Sequence, residues 1–197
     1  FVAYSGIDDN LIKEEFKEKK FNQEVLQIST VASLIKRKNI DIIIKALSLI
    51  PYKYNLTIIG DGREKKKLQK SALKSVKNNQ ITFMGNIPRE EVIKKLRNSD
   101  IFILLSDNET FGLTYLEAMV TGNIVIAKKN DGIDGILQNE QNAFLIPADV
   151  FELKKCIEKI YSLKEPQIEI IKQNAKETIS NLSISKASES YIDNIKV

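Results

Sequence analysis

Two carboxylates eight residues apart, Glu109 and Glu117, stand in the most informative stretch of the chain, Ser106–Gly122 (SDNETFGLTYLEAMVTG). Glu109 falls just before a helix and Glu117 two turns into it. At helical rise they are about 12 Å apart along the axis, beyond the roughly 5–9.5 Å of hydrolytic carboxylate pairs. Such a spacing suits holding two ends of one elongated polar ligand. Hydroxyl-rich groups, a hexose and a ribose for instance, are natural partners for side chains that only accept hydrogen bonds. Ordinary surface charge is the competing reading. Against it, Glu117 is flanked by Leu116, Ala118, Met119 and Val120, where a carboxylate is costly unless its face opens on water or a partner.

Between the two carboxylates, the helix expected to begin near Phe111 points its unpaired backbone N–H groups and the positive end of its dipole at the preceding loop, an anion site suited to a diphosphate. Gly112 removes a side chain where a ligand could approach the backbone. A second source of positive charge is Lys36, Arg37 and Lys38 in SLIKRKN, where a cation could meet the same diphosphate. Three basic residues in a loop also fit plain solvated surface.

These groups need a scaffold, and the hydrophobic pattern supplies one. Val25–Ala32, Leu56–Ile59, Ile81–Met84, Ile101–Leu105, Ile124–Ala127 and Phe144–Ile146 read as strands. Ile40–Ile50, Glu64–Val76, Pro88–Leu96, Phe111–Val120 and Asp149–Ser162 read as helices, the last capped by Asp149 and the third opened by Pro88. A polar, helical stretch follows Pro166. Ile101–Leu105 is apolar throughout, as a central strand buried on both faces should be. Strands alternating with helices predict an α/β fold, a Rossmann-like, mostly parallel sheet of about six strands covered on both faces. Such sheets bind ligands beyond the carboxyl ends of their strands, which singles out loops 33–39, 60–63, 85–88, 106–112 and 128–134.

Composition narrows the chemistry. The 197 residues, 43% hydrophobic and 28% charged, suit one globular domain. The chain has no His and one Cys, which removes Ser-His and Cys-His catalysis, a disulfide framework and a cysteine-based zinc site. Cys156 fits a buried helical position in the pattern Val150, Leu153, Ile157, Ile160. Net charge is +4. The clusters Lys17–Lys20 and Lys65–Lys67 read as solvated helix faces, with an anionic ligand or membrane surface as the alternative. No apolar run is long enough to span a bilayer. Neither G-x-G-x-x-G after the first strand nor G-x-x-x-x-G-K-[ST] is present, which argues against an NAD-dependent oxidoreductase and a P-loop. The first residues, FVAYSGIDD, carry no initiating Met, and the expectation is a domain excised from a longer protein.

ETFGLTYLEAMVTG resembles the E-x7-E motif of retaining glycosyltransferases of the GT-B fold, family 4 in particular, whose string runs close to E-G-F-G-L-x-x-L-E-A-M-A-x-G-x-P-V-I. VASLIKRKNID resembles the family's G-R-L-x-x-x-K-G-x-D, LTIIGDG its strand ending in G-D-G, ITFMGNIPREEV its F-x-G-x-V stretch, and YSGID the N-G-I-D that ends its interdomain linker. The resemblance covers roughly residues 1–165. It implies a single donor-binding domain over 1–197, with a linker-derived segment 1–22 and a C-terminal helical tail 166–197. Glu117 would hydrogen-bond the ribose hydroxyls. Glu109, with backbone groups near Thr110, Phe111, Gly112 and Leu113, would hold the transferred sugar and the distal phosphate. Lys38 would neutralise the departing diphosphate, with Ser33 and Arg37 beside it. Gly85, Asn86 and Ile87 would meet the base, and Gly60 would allow close approach beside the nucleotide.

The sequence departs from the family pattern in four places. Ser33 stands where the family usually has a phosphate-contacting Arg, a loss for which Arg37 could compensate. KKNDGIDGIL replaces T-D-x-G-G-x-x-E, with Asp131 for the first Gly and Gly135 for the Glu; Ile124 replaces the Pro and Ala143 a Gly. The implied protein is a cytoplasmic hexosyltransferase, possible also at the inner membrane face. It would use a nucleotide-diphosphate sugar, UDP before GDP or ADP, and neither metal nor cofactor. Its partner would be an N-terminal acceptor domain, with peripheral membrane association through that domain and no nucleic acid. The domain by itself would bind donor without transferring sugar. Glycolipid or surface polysaccharide synthesis is the family-level expectation. The alternative is a non-catalytic nucleotide-sugar-binding or assembly module.

Overall fold

The computed structural model describes residues 7–13, 20–75, 80–109, 112–133 and 135–182. A short helix, α1 (Asp9–Lys13), precedes the first strand, and the amide of Ile7 donates to the carbonyl of Leu182 at 2.9 Å, so the two ends of the described chain meet. The order then runs β1 (Leu26–Val31), α2 (Ile40–Leu47), β2 (Tyr54–Ile59), α3 (Lys65–Ser75), β3 (Gln80–Gly85), α4 (Arg89–Arg97), β4 (Ile101–Leu104), α5 (Leu113–Val120), β5 (Ile124–Lys128), β6 (Phe144–Ile146), α6 (Val150–Ser162) and α7 (Glu165–Ser180). The alternation read from the sequence is present strand for strand.

The six strands form one sheet in the order β3-β2-β1-β4-β5-β6, every pairing parallel. After β3 the chain crosses to the far side of β1 and builds outward again. The topological switch therefore lies between β1 and β4, where Ile28 pairs with Ile101 and Ser29 with Phe102. All four residues of β4 are buried, as its unbroken apolar run required. One buried cluster joins α2, α3 and α6 to one sheet face, through Ile43, Leu47, Leu68 and Ile157 among others. The other joins α4, α5 and α7 to the opposite face, through Leu96, Leu116, Met119 and Ala175.

Local details depart from the sequence reading in three ways. α5 begins at Leu113 rather than near Phe111, because Gly112 is its N-cap in the left-handed region (φ +64°). The loop after β1 holds a 3-10 turn, Lys36–Lys38, closed by Asn39 at φ +53°. Pro88 caps α4 from outside the helix. Asp149 caps α6 as expected, its carboxylate accepting from the amides of Phe151 (2.8 Å) and Glu152 (3.1 Å). No helix among the described residues is long and apolar enough to cross a membrane.

Candidate functional site

A cleft of about 730 Å³ opens at the carboxyl ends of β1 and β4, at the switch point of the sheet. The loop after β1 contributes Ser33, Arg37 and Lys38, and the loop after β4 contributes Glu109 and Gly112. Gly60 after β2, and Asn86 and Ile87 after β3, line the opposite side, while Leu113 and Thr114 from the first turn of α5 complete the wall. Sequence reasoning thus named residues from four separate segments that the fold gathers in one cavity. Thr110 and Phe111, also named there, lie outside the described residues.

At the centre Lys38 and Glu109, 71 positions apart in the chain, form an ion pair through Nζ and Oε2. Both side chains are largely withdrawn from water, at 10% and 15% exposure. The 3-10 turn and left-handed Asn39 turn Lys38 inward while Lys36 and Arg37 remain exposed.

The two loops that carry this pair are stapled together. The amide of Asp107 donates to the carbonyl of Arg37 at 2.7 Å, and the Arg37 guanidinium returns to the carbonyls of Asp107 (3.2 Å) and Asn108 (3.4 Å). Asn39 Nδ2 donates to the carbonyl of Leu105 (2.8 Å) and to Asp107 Oδ2 (2.9 Å). Lys128 Nζ, at the end of β5, approaches Asp107 Oδ1 at 2.8 Å. The hydrogen bonds from Lys128 and Asn39 hold the Asp107 carboxyl below its ordinary value. Arg37 is therefore engaged with protein carbonyls, and Asp107 and Asn39, which sequence reasoning did not single out, set the loop geometry.

Gly112 is demanded by its neighbours as well as by its φ. A Cβ there would lie 2.6 Å from Cδ2 and Cε2 of Tyr115 and 3.1 Å from Glu109 Cγ. Tyr115 is itself fixed: its hydroxyl donates to the carbonyl of Leu104 at 2.8 Å and its ring meets Phe102 edge-on at 6.0 Å. Burial, then the nearby charges of Glu109 and Asp131, pushes its phenol far above the ordinary value. The amide of Tyr115 bonds back to the carbonyl of Gly112 at 2.9 Å. Leu113 and Thr114, whose amides precede any intrahelical acceptor, line the cleft.

Gly60 (φ +127°) has a different reason for being glycine: an added Cβ would fall 1.9 Å from the carbonyl oxygen of Ala32. The main chain at the end of β1, rather than space kept for a ligand, fills that position. Gly85 (φ +69°) accepts at its carbonyl from the amide of Gly60 at 2.8 Å and sets the turn into Asn86 and Ile87.

Glu117 lies one turn behind Leu113 on α5 and is 7% exposed. The partner that its apolar setting required is Arg89, whose Nε donates to Oε1 at 2.8 Å. Sequence reasoning missed Arg89. The available signal was a cation in the first turn of α4, where the helix dipole disfavours one.

The loop after β5 reaches the site through backbone. The amide of Gly132 donates to the carbonyl of Glu109 at 3.1 Å, and Asp131 lies 3.7 Å from Lys128 Nζ. Among the described residues there is no group of three or more His, Cys, Asp or Glu side chains arranged to hold a metal ion. The cleft thus presents one withdrawn cation, one carboxylate and a helix amino end, an arrangement that can hold a phosphorylated polar ligand by charge and backbone donors.

A family model described as glycosyl transferases group 1 matches residues 12–178. Among curated proteins, an uncharacterised glycosyltransferase of Methanocaldococcus jannaschii is 28% identical over 146 residues, covering 73% of this chain and 38% of its own length. The chain therefore spans well under half of that relative. Among solved structures, Anabaena HepE in complex with UDP-glucose superposes with a TM-score of 0.84 at 21% identity, covering all of this chain and 57% of that one. The C-terminal domain of the glycosyl transferase group 1 protein LpcC from Francisella tularensis superposes with a TM-score of 0.76 at 24% identity, covering 89% of this chain and 97% of that one. Both solved structures share the Rossmann-like fold described above.

Proposed function

This chain belongs to the glycosyl transferases group 1 family, and we propose that it is the donor-binding domain of a retaining GT-B enzyme of family 4 that transfers a sugar from a nucleotide-diphosphate donor. The observation that carries this reading is the meeting of Lys38 and Glu109 beside the amino end of α5. Lys38 and the amides of Leu113 and Thr114 take the diphosphate, and Lys38 offsets the charge that develops as it leaves. With that cation supplied by the protein, the reading assigns no metal to the step. Glu109 holds the transferred sugar. Glu117 accepts from the ribose hydroxyls, and Asn86 and Ile87 meet the base.

UDP is the first donor nucleotide to test, supported by the UDP-glucose held by the similarly folded HepE. The acceptor site and any membrane contact are assigned to an N-terminal domain on the cytoplasmic side. The coverage supports this division, since the chain matches nearly all of a C-terminal domain but about half of HepE. Such a domain binds donor and transfers nothing until joined to its acceptor half.

The test is a thermal-shift screen with UDP, GDP, ADP and their sugars. A ligand at 100 times its Kd stabilises by about 2.7 kcal/mol, and Glu117→Ala removes the shift for the preferred nucleotide. A shift left intact by that variant overturns the ribose assignment.

A second reading, a nucleotide-sugar-binding module without turnover, draws support from one observation. Ser33 offers no cation, and the guanidinium of Arg37 is engaged by the carbonyls of Asp107 and Asn108. Donor turnover by the full-length protein separates the two readings.

A further inference from the structure

Arg89 is placed where a cation is disfavoured. It is the first residue of α4, at the positive end of the helix dipole, and its side chain is 56% exposed. Compensation comes from two carboxylates: Glu117 accepts from Nε at 2.8 Å, and Asp8 Oδ2 stands 3.9 Å from Nη1 on the other side. Glu117 gains more from the contact. Its side chain sits on α5 between the buried Leu116 and Ala118, and a carboxylate so withdrawn takes its direction from its hydrogen-bond donors.

Neither Arg89 nor Glu117 is itself a lining residue of the cleft, but both adjoin residues that are. Arg89 follows Asn86 by three residues and Ile87 by two, and Val92, one turn along α4, lines the same cavity. On α5, Leu113 and Thr114 line it one turn before Glu117. The pair thus bridges the base-side loop to the helix whose amino end faces the cleft. A donor engaging one oxygen of Glu117 through Nε leaves the second oxygen for another ligand.

We propose, on the reading that Glu117 is the ribose carboxylate, that Arg89 is a positioning residue for nucleotide recognition: its Nε–H fixes Glu117 so that the carboxylate meets the ribose diol of a nucleoside diphosphate. Arg89 then determines how well the site distinguishes a ribonucleotide from its 2′-deoxy analogue. A salt bridge that merely joined α4 to α5 would leave that distinction untouched.

The experiment is calorimetric titration of this chain with UDP and with 2′-deoxy-UDP. Wild type is compared with Glu117→Gln, Arg89→Ala, Arg89→Lys and the combined Arg89→Ala/Glu117→Gln variant. Wild type is expected to prefer UDP by about tenfold, the range of one hydrogen bond to a charged group. Glu117→Gln abolishes the preference. Arg89→Ala removes most of it while leaving the affinity for 2′-deoxy-UDP nearly unchanged. Arg89→Lys restores part, and the combined variant loses no more preference than Glu117→Gln alone. Circular dichroism checks each fold; if Arg89→Ala does not fold, Arg89→Gln, which keeps more of the stem, takes its place. A preference retained without the guanidinium but lost in Glu117→Gln overturns the role of Arg89 and leaves the ribose assignment standing. A preference retained in Glu117→Gln, or wild type that binds no UDP, overturns the underlying site reading and this role with it.

Discussion

Lys38 and Glu109 join the loops after β1 and β4 through an ion pair that is neither at the surface nor in the core, with side chains 10% and 15% exposed. Exposed pairs contribute about 0–1 kcal/mol, and breaking a fully buried pair by removing one partner costs about 3–5. Replacing one partner here, as in Lys38→Met or Glu109→Gln, is expected to cost about 2 kcal/mol, because the other charge is left partly desolvated. The double replacement should cost clearly less than the sum of the two. Urea unfolding of the four species measures the coupling; strict additivity would show that the pair is not formed in solution.

Gly112 and Gly122 flank α5 and both have positive φ, +64° and +80°. They differ in what a side chain would meet: the Tyr115 ring at 2.6 Å in the first case, nothing within 4 Å in the second. Gly122→Ala should therefore cost only the left-handed strain, about 1–2 kcal/mol. Gly112→Ala adds a clash with a ring held by its hydroxyl and by Phe102, and should cost at least about 1 kcal/mol more. It should also weaken nucleotide binding, because relieving the clash moves the first turn of α5. Denaturation midpoints and a UDP titration on both variants check this; equal losses would remove Tyr115 as the reason for the glycine.

Cys156 lies on the inner face of α6 at 6% exposure, and burial pushes its thiol up to about 12. Thiolate is the reactive form, so a thiol reagent near neutral pH should modify the folded chain far more slowly than the unfolded one. The rate should then follow the population of open molecules, and a bound nucleotide should slow it further by stabilising the closed state. Reaction of the native chain at the rate of a free cysteine would contradict this burial.

Elements were legible in the sequence where a periodic apolar pattern made them. β4 announced itself by an unbroken apolar run, α6 by Asp149 and its buried positions. Where a boundary depended on one dihedral angle the pattern gave no warning, as with Gly112, whose left-handed cap delays α5 to Leu113. Candidate site residues within one segment, Glu109 and Gly112, were visible from type and spacing, and both line the cleft. Lys38 entered as one of three adjacent cations, and what distinguishes it from Lys36 and Arg37 is a 3-10 turn that sequence spacing does not encode. Arg89 left only an indirect trace, a cation in the first turn of α4, because its significance lies in meeting Glu117, 28 positions away. Gly60 lines the cleft as its place after β2 suggested, but the carbonyl of Ala32, 1.9 Å from where a Cβ would fall, is a reason for glycine that no sequence spacing displays.

Asp107 gives the site a dependence on pH whose sign follows from its partners. Hydrogen bonds from Lys128 and then Asn39 lower its carboxyl from the ordinary 3.8. A depressed carboxyl contributes stability that is complete above the unfolded-state value and is lost as pH falls through the folded one. Lys128 is raised from 10.5, chiefly by its hydrogen bond to Asp107, so its share is complete below that value and lost as pH rises through the higher folded one. The clasp is therefore whole at neutral pH and fails in acid below about pH 4. Wild type should be more stable than Asp107→Asn at neutral pH, and the gap should close as the carboxyl is protonated. With Asp107 43% exposed and Lys128 25%, concentrated salt should also narrow the gap at neutral pH. Urea midpoints for both proteins from about pH 7 to pH 2 test this directly; a gap that stays constant across that range would mean that Asp107 acts through its shape alone and that its charge contributes nothing to holding the loops after β1, β4 and β5 together.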